Sequence, residues 1–193
     1  MVQGGFNVVL NSADSHEKHL MDSLKGGQYI NDQELTKTLV EQATPTVKEL
    51  ETKFGCFFDR SSDGTIHQKA FAGQSFDRTV HKGDLTGIEI VSRITEQVIK
   101  RKIPVLEECR AVDLLLDEAG ATVTGALFFN VPRGEFVVVE AAATLVATGG
   151  GPTQYRFHAP GPEKSADGIA MLYRAGVEMK DMEMLQFHPT GLI

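Results

Sequence analysis

AVDLLLDEAGATVTGALFFNVPRGEFVVVEAAATLVATGGG, residues 111–151, decides the fold class. Three runs, Ala111 to Asp117, Ala121 to Asn130 and Glu135 to Ala141, alternate with a period near two. Glu118-Ala119-Gly120 and Pro132-Arg133-Gly134 separate them. Turns that short join antiparallel neighbours, so the stretch predicts a β-meander. A fourth apolar run, Ala143 to Ala147, reads as a buried strand feeding Thr148-Gly149-Gly150-Gly151.

On either side the period changes to that of a helix. Upstream, Leu35, Leu39, Ala43, Val47, Leu50 and Phe54 follow Asp32 at helical spacing. Pro45 predicts a break, with two helices joined near Thr44, Thr44 as N-cap and Pro45 in the first helical position. Gly55 is the C-terminal stop, and Ser61-Ser62-Asp63-Gly64 a turn. Thr86 to Lys100 predicts a helix with Ile88, Val91, Ile94, Thr95, Val98 and Ile99 on one side. Downstream, a helix opening near Asp167 carries Ile169, Ala170, Leu172 and Tyr173 and stops at Gly176. A short strand is expected near Val177 to Lys180. The class is α/β with an antiparallel meander.

Composition narrows the function. With 193 residues the chain is long enough for one domain with a real core. Hydrophobic residues at 41% and charged residues at 23% argue against global disorder. A formal charge of −7 argues against a nucleic-acid or anionic-membrane binder driven by bulk charge. Cys56 and Cys109 have no metal-type spacing, and a reduced compartment is the simpler reading. Phe136 to Ala147 is too short, and too interrupted by Glu140, to span a bilayer. No basic region marks Met1 to Gly5 as a signal peptide, and the abrupt ends at Gln3-Gly4-Gly5 and Gly191-Leu192-Ile193 suggest a chain cut at both termini.

Four segments could carry chemistry. Glycines in Ala147-Thr148-Gly149-Gly150-Gly151 allow a ligand close to the backbone, where peptide N–H groups can face a phosphate; a plain tight turn is the alternative. Asp167, in Ser165-Ala166-Asp167-Gly168, reads as an N-cap, as an acceptor for a cofactor hydroxyl or amide, or as both. In Asp181 to Gly191, His188 precedes Pro189 and is therefore expected on an extended or turn segment. Gln186, His188 and Thr190 then share one face, which suits a polar ligand. Phe71-Ala72-Gly73-Gln74-Ser75, with Arg78, reads as a loop ahead of a helix capped by Asp84 or Thr86. His16 and His19 are expected on a solvated helix face rather than as a metal pair, and His67, His81 and His158 carry no signal. No metal site and no Ser-His-Asp or Cys-His arrangement is readable.

In this order the motifs resemble those of the flavoprotein subunits of succinate dehydrogenase and fumarate reductase, with L-aspartate oxidase a close relative. Gln3-Gly4-Gly5, Asp22 with Lys25-Gly26, Asp32-Gln33, Phe71 to Ser75, Ala147 to Gly150, Asp167-Gly168 and the segment ending at Gly191 carry the resemblance across the chain. It implies a partial FAD-binding, Rossmann-like domain over residues 1–193, with the meander and a helical insertion. It implies FAD contacts at Gln3, Gly4, Gly5, Thr148, Gly149, Gly150 and Asp167, and substrate contacts at His188, Phe71, Gly5 and Thr190. The expected reaction is interconversion of succinate and fumarate or of a similar dicarboxylate. Alternatives are an L-aspartate oxidase-type enzyme and a non-catalytic truncated module without flavin.

The family's Gly-x-Gly-x-x-Gly fingerprint and capping domain lack counterparts here, and so does its proton-shuttling Arg. No catalytic residue is therefore assigned to this chain, and weak or absent FAD is expected of the chain alone. Ala72 stands for a usual Gly, Ser165-Ala166 for Thr-Gly, and Pro152 to Lys164 diverges. The resemblance further implies partnership with an iron-sulfur electron-transfer subunit. It also implies a cytoplasmic location, held at the membrane face through partner subunits. No nucleic-acid partner and no membrane segment are expected. An uncovered sheet edge also predicts self-association.

Overall fold

The computed structural model describes residues 4–186. It divides into two compact units, Met1–Pro104 and Val105–Ile193. The predicted positions Gln3, His188 and Thr190 lie outside the described residues.

The first unit holds β1 (Phe6–Asn7), α1 (His16–Gly26), α2 (Gln33–Thr52), β2 (Gln68–Lys69), β3 (Thr79–Val80) and α3 (Thr86–Lys100). The strands form an antiparallel sheet in the order β1-β3-β2, with Phe6 and Gln68 both opposite Val80. Val8, Val47, Cys56, Phe58 and Val80 make the core beneath it. Ser15 caps α1 by accepting from the Lys18 N–H, and Asp32 caps α2 by accepting from the Leu35 N–H.

Pro45 does not break the helix as the sequence predicts: α2 runs through it. The carbonyl that Pro45 leaves without a donor belongs to Glu41, at an exposed position where water can serve it. Thr44 is not a cap either; its hydroxyl donates to the Val9 carbonyl at 2.8 Å and ties the helix to the strand region. The buried stripe is Val40, Ala43, Val47, Leu50 and Phe54, while Leu35 and Leu39 stay exposed. That set holds the helical period better than the predicted one.

Helix α3 has its predicted bounds, but neither Asp84 nor Thr86 caps it. Leu85 occupies the cap position, and the Thr86 hydroxyl instead accepts from the Lys82 N–H at 3.0 Å. Ile90, not the predicted face, packs on the core; Val91 and Ile99 are 64% and 69% exposed.

The second unit contains the predicted meander: β4 (Cys109–Leu116), β5 (Val123–Asn130) and β6 (Glu135–Glu140), antiparallel in that order. A short 3-10 turn (Pro152–Gln154) and α4 (Asp167–Arg174) follow. Residues 143–147 form no strand, and Leu145 is 93% exposed, because no strand among the described residues pairs with them. Val177 to Lys180 is not a strand either. Helix α4 buries Gly168 and Met171 and leaves Tyr173 exposed. Both sheets among the described residues are antiparallel, so the parallel pairing of a Rossmann-like sheet is not among them.

Candidate functional site

The first unit assembles two of the four predicted motifs. Gly5 leads into β1 with φ +118°, and a Cβ there would overlap the Val80 carbonyl oxygen. Only glycine tolerates both the dihedral and the approach. Phe71 Cε2 lies 3.8 Å from the position a Cβ on Gly4 would take, and the ring is 60% exposed. The Phe71–Ser75 loop is fastened to the same strand. Gln74 Nε2 donates to Asn7 Oδ1 at 2.7 Å and to Thr79 Oγ1 at 3.2 Å, and the Thr79 hydroxyl donates to Asn7 Oδ1 at 2.9 Å. The glycine turn thus presents a bare backbone edge beside an exposed aromatic ring.

Beneath the loop sits a buried ion network. Arg78 is fully buried and donates to Asp14 through Nε at 2.6 Å and Nη2 at 2.7 Å. Its Nη1 donates to Asp22 Oδ2, which also accepts from the Ser75 N–H at 2.9 Å and the Ser75 hydroxyl at 2.6 Å. Burial alone would raise both carboxyl pKa values. For Asp22 the hydrogen bonds from Ser75 and Arg78 outweigh it and hold the pKa at about 2. For Asp14 the bonds from Arg78 and the Ser15 backbone likewise bring it below the ordinary value. The Asp14 and Asp22 bonds in turn raise Arg78 against its desolvation. The network pins the loop to α1 and supplies no free charge to a ligand. His19, expected on a solvated face, is buried beside it, with its pKa lowered by burial and by Arg78.

The second unit assembles the other glycine turn against α4. A Cβ on Gly168 would overlap the Thr148 side chain, and one on Gly151 would overlap Ala166, so the turn and the helix start are in direct contact. The Gly149 and Gly150 N–H groups donate to no partner among the described residues. Asp167 is not the N-cap: Ala166 holds that position with φ +64°, and no side chain caps the helix. The Asp167 carboxylate accepts instead from Ser165 Oγ at 2.9 Å and Arg110 Nη2 at 3.1 Å. The free peptide donors and uncapped helix start can receive a phosphate, and the half-exposed carboxylate can accept from a hydroxyl-bearing ligand.

The structure therefore places Gly4, Gly5 and Phe71 together in one unit, and Thr148, Gly149, Gly150 and Asp167 together in the other. Sequence reasoning missed Asn7, Thr79 and Asp14, and it named Asp22 without its bond to Arg78. It also passed over His67 and His81, whose rings share a hydrogen bond of 2.8 Å. His158 Nδ1 lies at hydrogen-bond distance, 2.9 Å, from the Pro160 carbonyl. Among the described residues no group of side chains could hold a metal ion, and no helix is long and apolar enough to cross a membrane.

With that geometry in hand, comparison with known proteins decides the family. The model of the FAD binding domain family matches residues 1–193. The chain belongs to the FAD binding domain family. It is 42% identical over 194 residues to an uncharacterized FAD-dependent oxidoreductase of Methanocaldococcus jannaschii, covering 100% of this chain and 35% of that protein. It is 35% identical over 196 residues to one subunit of the fumarate reductase (CoM/CoB) of Methanothermobacter marburgensis, again covering 100% and 35%. Among solved structures, a mutant of E. coli quinol fumarate reductase FrdA superposes with a TM-score of 0.93 at 31% identity, covering 99% of this chain and 32% of that one. This FAD binding domain chain is thus related to fumarate reductase and succinate dehydrogenase flavoprotein subunits, and spans about a third of their length.

Proposed function

We propose that the chain supplies flavin- and substrate-facing residues of an FAD-dependent oxidoreductase that interconverts succinate and fumarate or a similar dicarboxylate. The observation that carries the reading is the locked Gly4-Gly5 turn beside exposed Phe71. A side-chain-free backbone edge next to an aromatic wall suits a planar ring stacked against a small flat acid. The relatives' names support the same chemistry.

The residues fit FAD. Thr148, Gly149, Gly150 and Asp167 would hold its polar portion through peptide N–H groups and a carboxylate, and Gln3, Gly4 and Gly5 would line its ring. When bound, FAD supplies hydride transfer. The chain's own part is placement. Phe71 would shield a bound ring from water, and His188 and Thr190 would donate to a substrate carboxylate. An iron-sulfur subunit is the partner this reading calls for as an electron carrier.

Steady-state kinetics of the holoenzyme test the reading. Phe71→Ala is expected to raise KM for fumarate several-fold with flavin content unchanged. Unchanged kinetics in that variant would remove Phe71 from the site.

A further inference from the structure

Gln68 faces Val80 and Lys69 faces Thr79 across β2 and β3, so continuing the register brings His67 opposite His81. The two rings meet there, with His67 Nδ1 2.8 Å from His81 Nε2 and ring planes at 84°. Asp59 closes the group from the chain segment alongside. Its N–H donates to the His81 carbonyl at 2.9 Å, and its carbonyl accepts from the His67 N–H at 2.8 Å. Asp59 Oδ2 stands 3.1 Å from His81 Nδ1, out of line for a hydrogen bond but within ion-pair reach. The other charges facing the group are Lys82, 3.6 Å from Asp59, and Lys69. His81 is buried and His67 is exposed.

A hydrogen bond between two imidazoles needs one facing nitrogen with a proton and one without. Asp59 favours the proton on His81 Nδ1, which leaves Nε2 as the acceptor and His67 Nδ1 as the donor. One added proton can be accommodated: the exposed His67 Nε2 takes it while His67 Nδ1 goes on donating to His81 Nε2, so the second must come to His81 Nε2 itself. A second proton puts N–H against N–H and cation against cation, with only Asp59 to offset Lys69 and Lys82.

We propose that His67 and His81 form a proton-sensitive clasp on the β2–β3 edge, closed while the pair carries at most one extra proton and opened by the second. Val80, next to His81, pairs with Phe6 and backs Gly5, so opening loosens the strand that holds the Gly4-Gly5 turn. The clasp stands on geometry; only its consequence for flavin rests on the function proposed above. The sign agrees with the surroundings of His81, where burial and Lys69 lower the pKa against the pull of Asp59. A folded-state pKa below the unfolded value of about 6.5 means stability is present above that pH and is lost as pH falls.

Hydrogen exchange of the full chain without flavin tests the clasp separately from the flavin reading. Corrected for intrinsic rates, protection of the Phe6 and Val80 amides should fall about tenfold per pH unit below about pH 6. His67→Asn, at an exposed position and unable to titrate, should weaken that dependence to the part that burial and Lys69 impose on His81 alone. Proton NMR should also resolve two separated titration steps for the pair in the wild-type chain. Equal pH dependence in wild type and His67→Asn, or two independent ordinary titrations, would overturn the proposal.

Discussion

Gly5 and Asp22 show how single residues set the site. A Cβ at Gly5 meets the Val80 carbonyl, which the sheet cannot move without losing the Phe6–Val80 pairing. Gly5→Ala should therefore destabilise the chain by more than about 1 kcal/mol, from positive φ and steric overlap together. Urea unfolding checks this, and an unchanged midpoint would refute it. Asp22 accepts from Ser75 and Arg78, and Asp22→Asn leaves Arg78 with one carboxylate instead of two. The expected loss is about 1–3 kcal/mol near neutral pH. Because the folded pKa of about 2 lies below the ordinary 3.8, the Asp22 contribution is present above pH 4 and disappears as pH falls toward 2. Wild type and Asp22→Asn should converge over that range; a constant gap in thermal unfolding would contradict the assignment. Arg78 stood out in the sequence only as a charge near the Phe71 loop. Its partners Asp14 and Asp22 are 64 and 56 positions away, and nothing local announces such a pairing.

Elements were legible where local pattern alone decides them. The alternation and short turns from residue 111 onward gave a meander whose strands lie within a few residues of expectation. Helix α3 likewise matched its predicted bounds, since the 3.6 period and the preceding loop are local signals. What failed needed a neighbour. Residues 143–147 have the composition of a buried strand, but a strand exists only when another pairs with it. The face of α3 was misjudged because periodicity finds an apolar side without saying which side meets the core. Pro45 was read as a boundary when burial of Val47 and Leu50 on the same helix outweighed its cost. Pro45→Ala should then stabilise the chain by about 1–2 kcal/mol, the interior penalty less the entropy gained by the unfolded chain. A neutral or destabilising result in chemical denaturation would favour two helices with Pro45 at the start of the second.

At the scale of the whole molecule, large apolar side chains remain open to water in both units, including Val91, Ile99 and Leu145. Patches of this kind drive association. Sedimentation of the 193-residue chain should show self-association at micromolar concentration, and Val91→Glu should reduce it. A wild-type monomer throughout would contradict this. The ordered motifs make the family legible from the sequence, because their order along the chain is specific where each motif alone is weak. The motif groups of each unit were legible, but the fastening of Phe71 through Gln74 and Asn7 was not, since that contact spans 67 positions. Everything proposed for the site turns on flavin-dependent chemistry with a dicarboxylate. It is tested by reducing the holoenzyme flavin without oxygen, mixing it with fumarate, and following the return of oxidised flavin. Saturable reoxidation is expected, with His188→Ala raising the half-saturating fumarate concentration about 10- to 100-fold, as the loss of one charge-assisted hydrogen bond requires. Reduced flavin that persists in fumarate and in related unsaturated dicarboxylates would contradict it.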